Sequence, residues 1–130
     1  MSDSQKEQIK TKLGQAIGLL GKTENFLMVG FDDEYDLYMG GEKLDKAAFV
    51  SVKVYGKLQS GACDTMTAKI CDILQEELGI PGSAVYVTYQ GIDDWGWTQF
   101  LSMFYRRNHL QSQNACGMLI YSFEFHSEKD

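Results

Sequence analysis

The sequence predicts a single α/β domain in which two amphipathic helices pack on one mixed β-sheet. The chain has 130 residues, a length that fits one domain with one hydrophobic core. Two segments carry apolar residues at helical spacing, and others carry the alternation of a strand. Residues 47–89 have the order strand, helix, strand, which is typical of a parallel pair joined by a helix. Two helices on one sheet face would bury both apolar stripes.

The first helix is expected near the start of the chain. Ser4 and Glu7 have the spacing of a capping box, and Gly21 is a residue type that commonly ends helices. The apolar residues of this segment share one helical face: Ile9, Leu13, Ala16, Ile17 and Leu20.

The second helix follows the strand that ends at Gly56. Asp64 is its expected N-cap, and Gly79 followed by Pro81 ends it. Its apolar stripe is Met66, Ile70, Ile73, Leu74 and Leu78.

The clearest strand spans residues 47–55, where Ala48, Val50, Val52 and Val54 alternate with Phe49, Ser51, Lys53 and Tyr55. Further strands are expected at 25–31, 85–89 and 117–126, with a short one at 95–97. Gly40–Gly41 predicts a turn. In the last strand, Met118, Ile120 and Ser122 share one face, and Leu119, Tyr121, Phe123 and Phe125 share the other.

Composition excludes several functional classes. The formal net charge of -6 disfavours nonspecific binding to nucleic-acid phosphates or anionic membrane surfaces. No apolar run is long enough to span a membrane, and the N-terminus lacks a signal peptide, so a cytoplasmic protein is expected. The three cysteines, Cys63, Cys71 and Cys116, predict reduced thiols. His109 and His126 lack the spacing of metal ligands, so neither a metal nor a cofactor is expected.

Several short segments, taken in order, resemble a known family. They are Gly21-Lys22, Gly40-Gly41, Val54-Tyr55-Gly56-Lys57, Leu78-Gly79-Ile80-Pro81, the strand 85–89 and Trp95-Gly96-Trp97. Their order and spacing resemble macrophage migration inhibitory factor and its relatives in the tautomerase superfamily, over residues 4–100. The resemblance implies a homotrimer of sandwiches built from paired β-α-β repeats, with active sites between protomers. It also implies an N-terminal proline whose amine is the general base of a keto-enol tautomerisation.

The sequence departs from that family at its start. The family opens with the proline on a strand, whereas here the first helix begins the chain. Residues 117–122 resemble the missing opening strand, so the chain is predicted to be a circular permutant. Residues 1–130 would form one domain, comprising a body at 4–100, a linker at 101–116 and a relocated first strand at 117–126. Gly117 then stands where the proline would be, and its amide nitrogen is not a base.

Other pocket positions follow from the resemblance. Lys22 matches a lysine that pairs with carboxylate substrates, although a charge favoured by the helix C-terminus explains it equally well. Tyr86 matches a tyrosine supplied by a neighbouring protomer, although an aromatic residue on a strand is more often part of the core. Lys22 and Tyr86 are thus the candidate catalytic residues, and neither is assigned a catalytic role. The expected ligand pocket comprises Lys22, Tyr55, Tyr86, Thr88, Trp97, Phe100, Gly117 and Met118.

Three hypotheses remain open from the sequence. The first is a homotrimer without amine-dependent tautomerase activity that binds a small anionic or aromatic ligand, or a protein. The second is a phenylpyruvate-type tautomerase with a replacement base such as Lys22, and with Tyr86 as the acid. The third is an unrelated α/β domain in which the strand at 117–125 does not lie beside the strand at 25–31. Family members carry a Cys-x-x-Cys pair that is missing here at residues 46–49, which removes thiol oxidoreductase chemistry.

Overall fold

A computed structural model describes residues 1–98 and 115–124 of the chain. Its regular elements are α1 (Asp3–Ala16), β1 (Leu27–Asp32), β2 (Tyr38–Met39), β3 (Glu42–Lys43), β4 (Lys46–Tyr55), α2 (Ser60–Leu78), β5 (Val85–Ile92) and β6 (Cys116–Glu124). Short 3-10 turns occupy Ile17–Leu20, Glu24–Phe26 and Gly82–Ala84. No helix within these ranges is long and apolar enough to cross a membrane.

Strand β6 lies inside the main sheet, although it is the last element described. The four strands have the order β1-β6-β4-β5, in which β6 runs parallel to β1 and antiparallel to β4, and β4 runs parallel to β5. The mixed sheet predicted from the sequence is therefore confirmed. The pairing of β6 with β1 contradicts the alternative of an unrelated domain, which required these strands to lie apart.

The core lies between one face of the sheet and the two helices, which also pack on each other. The predicted stripe of α2 is buried in full, and that of α1 is buried except for Leu20, which is only partly covered. The sheet contributes Val50, Val52, Val54, Met118 and Ile120 to the same core. Each such side chain stabilises the fold by about 1.5–3 kcal/mol through burial.

The opposite face of the sheet carries the residues that alternate with the core residues along each strand. Register places Gly117 between Met28 on β1 and Lys53 on β4, so these three positions share that face at one end of the sheet. Met28 is 77% exposed there. This end of the sheet therefore offers backbone and side chains that the helices do not cover.

Both predicted helix N-caps are wrong. Helix α1 is capped by Ser2. The Ser2 hydroxyl accepts a hydrogen bond from the Gln5 backbone amide at 3.1 Å, and the Gln5 side-chain oxygen accepts one from the Ser2 backbone amide at 2.8 Å. The same motif thus begins two residues earlier than predicted from Ser4. Helix α2 begins at Ser60 after an extended Gln59, so Asp64 lies inside it. The sequence pattern missed the first turn of α2, because that turn carries none of the buried apolar residues of the stripe.

Two strand predictions also need correction. Residues 25 and 26 belong to a 3-10 turn, and β1 starts at Leu27 because its partner β6 starts opposite, at Cys116. Residues 95–97 form no strand; the rings of Trp95 and Trp97 instead contact other aromatic side chains.

The remaining boundaries concern the hairpin and the linker. The Gly40–Gly41 turn is confirmed, with φ values of 61° and 84°, and it joins β2 to β3, two strands too short to show alternation. Cys116, predicted to end the linker, is the first residue of β6. Residues 101–114 of that linker, and residues 125 and 126 of the predicted last strand, lie outside the described residues.

Candidate functional site

An apolar cleft of about 270 Å³ lies at the end of the sheet where β6 begins. Its lining includes Phe26 and Met28 from the first strand region, Trp95 and Trp97 from the segment after β5, and Cys116 and Gly117 from β6. These residues meet because β6 pairs with β1 in parallel register, which sets Met28 opposite Gly117. The cleft is thus built by elements from three separate parts of the chain.

Aromatic rings form much of the cleft wall. The Phe26 and Trp97 rings meet edge to face, with centroids 5.9 Å apart and an interplanar angle of 73°. Trp95 packs against Tyr55 at 6.4 Å and 47°. Such contacts fix ring orientation and leave indole surface at the cleft, since Trp97 remains 38% exposed. The wall is suited to a flat, apolar group.

Lys22 does not line this cleft, but it is bonded to Tyr55, whose ring packs against the cleft residue Trp95. Lys22 follows Gly21, whose left-handed conformation (φ 74°) ends the 3-10 turn Ile17–Leu20 and redirects the chain. The Lys22 Nζ atom donates a hydrogen bond to the Tyr55 carbonyl oxygen at 2.9 Å. The Tyr55 amide in turn donates to the carbonyl oxygen of Ala115, a cleft residue, at 3.0 Å. Burial lowers the pKa of the Lys22 amine below its ordinary value, against a smaller opposing effect of Cys116.

The Cys116 thiol is a structural part of the cleft. Its residue is 2% exposed, and burial raises its pKa to about 11, with Lys22 acting weakly in the other direction. A thiol with that pKa is protonated at neutral pH and is therefore a poor nucleophile. The chemistry available at the cleft consequently does not come from this sulfur.

The Gly117 nitrogen is a peptide amide within β6 and has no basic lone pair. The amine of Met1 is elsewhere: it lies 3.0 Å from the Asp33 Oδ2 atom, just beyond the end of β1 that is remote from Met28. Asp33 is five positions after Met28 in the sequence, which corresponds to about 16 Å at the usual rise of a strand. Neither nitrogen can serve as an amine base at the cleft.

The structure brings four of the predicted pocket residues to this end of the sheet: Lys22, Tyr55, Trp97 and Gly117. Met118 does not join them, because alternation along β6 turns its side chain to the helices, where it is 4% exposed in the core. Phe100 lies outside the described residues.

Tyr86 and Thr88 are also apart from the cleft within one chain. Both lie on β5, at the edge of the sheet opposite β1. Tyr86 is 60% exposed, and its ring centroid is 6.3 Å from that of Phe49. It lines a separate groove together with residues of the β2–β3 hairpin. The Thr88 hydroxyl donates to the Val50 carbonyl oxygen at 3.5 Å.

The sequence analysis missed seven residues that line the cleft: Asn25, Phe26, Leu27, Met28, Trp95, Ala115 and Cys116. Met28 could have been found by extending the predicted pairing of the first and last strands, which sets it opposite Gly117. Trp95 carried a signal in the Trp95-Gly96-Trp97 motif, of which only Trp97 was assigned to the pocket. Within residues 1–98 and 115–124, no three His, Cys, Asp or Glu side chains are grouped as metal ligands would be.

Comparisons with known proteins show which family the chain is similar to. The sequence model of the macrophage migration inhibitory factor (MIF) family matches residues 2–103. Leishmania major MIF2 superposes with a TM-score of 0.70 and 28% identity, over 75% of this chain and 84% of that one. A search of curated proteins gives no match.

Two more distant structures share the fold. Macrophage migration inhibitory factor of Toxoplasma gondii has a TM-score of 0.67 and 22% identity, over 74% of this chain and 86% of its own. The macrophage migration inhibitory factor-like protein of Entamoeba histolytica has a TM-score of 0.66 and 19% identity, over 75% and 85%. With the family match covering most of the sequence, the chain belongs to the macrophage migration inhibitory factor family.

Proposed function

We propose that this protein is a circularly permuted, homotrimeric member of its family that lacks amine-dependent tautomerase activity and uses its cleft to bind a small aromatic or anionic ligand, or a protein. One observation carries the proposal: Gly117, at the cleft, is an internal residue of β6 and offers an amide where the family chemistry needs an amine. General acid-base catalysis requires a group that can accept and return a proton near neutral pH, which an amide nitrogen cannot do.

The position of β6 supports permutation. The family match ends at residue 103, before β6, and each structural neighbour covers about three quarters of this chain. The start of the chain also lies near the end of β6: the Met1 amine contacts Asp33, and the preceding Asp32 pairs with Tyr121. Permutation is tolerated where the ends to be joined lie close together at a surface.

Exposed apolar side chains support assembly into a homotrimer. Met28 is 77% exposed, Tyr38 63% and Tyr86 60%. Large exposed side chains of this kind are typical of surfaces that bind another protein chain. Tyr86 cannot reach the cleft of its own chain, and the resemblance assigns it to the pocket of a neighbouring protomer. In a trimer each cleft would then be completed by Tyr86 and Thr88 of an adjacent copy.

The chemistry of the cleft defines the ligand class. Aromatic walls favour a flat ring, and Lys22 beside them supplies a cation for a carboxylate. A volume of about 270 Å³ suits a ligand of one ring rather than a large cofactor.

A binding experiment tests this function. Titration with 3-phenylpropionate, an aromatic carboxylate without a ketone, should change tryptophan fluorescence and saturate. Lys22→Ala should weaken binding by about tenfold, because a partly desolvated ion pair is lost. Lys69→Ala, on the exposed surface of α2, is the matched control and should leave the affinity unchanged. Saturable binding that ignores Lys22 would contradict the proposed anion site.

The second candidate is a tautomerase in which Lys22 replaces the missing base. The observation that favours it is the lowered pKa of the Lys22 amine, which places more of it in the neutral, basic form. In this version Tyr86 of a neighbouring protomer would act as the acid. Phenylpyruvate tautomerisation that Lys22→Ala abolishes would support this candidate over the binding protein, whereas activity untouched by Lys22→Ala would remove it.

We also propose a cytoplasmic location. Cys63, Cys71 and Cys116 are all free thiols, which suits a reducing compartment. Cell fractionation tests this, and recovery in a secreted fraction would contradict it.

A further inference from the structure

A groove lies at the end of the sheet where β6 ends, remote from the cleft. This hairpin groove of about 640 Å³ lies between the β2–β3 hairpin and the turn that precedes β5. Most of the residues that line it are apolar, and the full set is Met39, Leu44, Asp45, Lys46, Pro81, Ser83 and Ala84. Met39 is 38% exposed although its side chain is large and apolar. The hairpin groove is therefore a surface suited to contact with another apolar group.

Strand β6 leads directly to the hairpin groove. Its last residue, Glu124, pairs in register with Lys46, which lines the groove. Residues 125–130 follow in the sequence and lie outside the described residues. A segment of this length spans up to about 20 Å when it is extended. The sheet order β6-β4-β5 puts β5 two strand spacings from β6, which is about 10 Å, so the segment is long enough to cross the groove.

The residue types of this segment match those of the groove. Phe125 comes first, and burial of a phenylalanine ring against apolar side chains is strongly favourable. Glu128 and Lys129 follow, and the groove offers each of them a residue of opposite charge, Lys46 and Asp45 respectively. The segment thus combines an apolar anchor with charges that complement those of the groove.

We propose that residues 125–130 dock in the hairpin groove of their own chain, with Phe125 as the anchor. Docking joins the hairpin to the rest of the fold, because Met39 belongs to the hairpin whereas Pro81 and Ala84 precede β5. The segment's own chain is the favoured host, because a short tether gives it an effective concentration in the millimolar range. The same segment of a second copy, or a separate protein, lacks this advantage. The inference concerns a different surface from the cleft and does not rest on the proposed function.

Hydrogen exchange on the full chain tests the docking. The reporter is the Leu44 amide, which donates a hydrogen bond to the Leu37 carbonyl oxygen at 2.9 Å across the hairpin. In Phe125→Ala this amide should exchange about tenfold faster, because the hairpin loses its apolar anchor and opens more often. Ser127→Ala, in the same segment, is the matched control and should leave the rate unchanged. Exchange at Ile70, which is buried in α2, should be equal in all three chains and shows that the variants are folded.

A peptide added to the protein tests the same groove independently. A synthetic peptide of residues 123–130 should bind the full-length Phe125→Ala chain, whose groove lacks its anchor, and should slow Leu44 exchange again. It should not bind the unaltered chain, whose groove is already filled. A peptide that carries Phe125→Ala should bind neither chain. Met39→Glu, introduced into the Phe125→Ala chain, should prevent binding of the unaltered peptide.

Each outcome decides the inference. Faster Leu44 exchange in Phe125→Ala that the peptide reverses supports it. Equal Leu44 exchange in the unaltered and Phe125→Ala chains would overturn it, as would equal binding of the peptide to both. Restored protection in a mixture of Phe125→Ala and Met39→Glu chains would assign the groove to the segment of a second copy. Protection that appears only when another protein is added would assign it to a separate partner, and either result would also overturn docking within one chain.

Discussion

The Nζ atom of Lys22 lies 2.9 Å from the carbonyl oxygen of Tyr55, and the Tyr55 amide donates to Ala115 at 3.0 Å. These two bonds connect the end of the first helical segment, the end of β4 and the start of β6. The Lys22 side chain and the Tyr55 backbone together thus join three parts of the fold near the cleft.

Removal of that side chain should destabilise the protein. Lys22→Ala leaves the Tyr55 carbonyl without this donor, and we expect the free energy of unfolding to fall by about 1–2 kcal/mol. Lys22→Arg should cost less, because it keeps a donor. Urea denaturation measures both, with the exposed Lys69→Ala as the control. Equal stability of Lys22→Ala and the unaltered protein would mean that the bond contributes nothing.

The contact between Asp33 and the Met1 amine should make stability depend on pH in the acid range. The hydrogen bond to that amine, with further help from Lys6, holds the pKa of Asp33 below its ordinary value of 3.8. The folded state therefore binds the proton less readily than the unfolded state. The resulting stability is complete above the unfolded pKa and is lost as pH falls through the folded pKa.

Asp33→Asn should remove this dependence. The difference in unfolding free energy between the unaltered protein and the variant should be about 0.5–1 kcal/mol at neutral pH, because the pair is partly exposed. It should shrink as the pH falls below 3.8, the ordinary pKa of the carboxyl, and through its lower folded-state pKa. Asp36→Asn, which removes an exposed contact with Lys43, is the control. A difference that grows on acidification would contradict the assignment.

Gly91 should not tolerate a larger residue. A Cβ atom added there would overlap the Gly56 carbonyl oxygen, and the backbone at Gly56 is itself fixed by its bond to Ile92 at 2.9 Å. Gly91→Ala should cost about 1–3 kcal/mol through this overlap of backbone atoms. The matched control is Gly61→Ala in α2, where an added Cβ meets nothing within 4 Å and should stabilise the helix by up to about 1 kcal/mol. A thermal melt that ranks the two variants in the opposite order would refute this explanation.

Reversal of the permutation should restore an amine to the cleft. The designed chain starts at residue 117 with Gly117→Pro, continues to residue 126 and is then joined to residue 2 and the body that follows. A free proline amine at this position should raise the rate of phenylpyruvate tautomerisation by about 10²–10⁴-fold over the present chain. The control carries one alanine before the proline, which turns the amine into an amide and should abolish the gain. An inactive chain with a free proline and an intact fold would count against the permutation.

Much of the fold could be predicted because its signals are local. Alternation in β4 and the apolar stripe of α2 correctly identified buried residues such as Val52 and Ile70. The last strand was placed beside the first through the family resemblance, and the observed register of Met28 with Gly117 confirms this pairing. The capping box was assigned to Ser4 and not to Ser2, because the cap lies where the backbone becomes extended, and residue types alone do not show that position.

The site was harder to predict because its residues meet through tertiary contacts. Alternation alone shows that Met118 and Gly117 face opposite sides of β6, yet the resemblance placed both in one pocket, and the structure puts Met118 in the core. The aromatic contact of Trp95 with Tyr55 joins residues 40 positions apart in sequence, and no local pattern encodes it. Tyr86 is likewise exposed in one chain, and it would join the pocket only in the proposed trimer.

The central claim concerns a trimeric scaffold whose cleft holds an amide in place of an amine. Its most direct test is a phenylpyruvate tautomerase assay on a preparation whose mass has been measured by light scattering. The account predicts a mass of three protomers and no tautomerisation above the buffer rate. A trimer with robust activity would contradict it and would make Lys22 the first residue to replace; a monomer would contradict the proposed assembly.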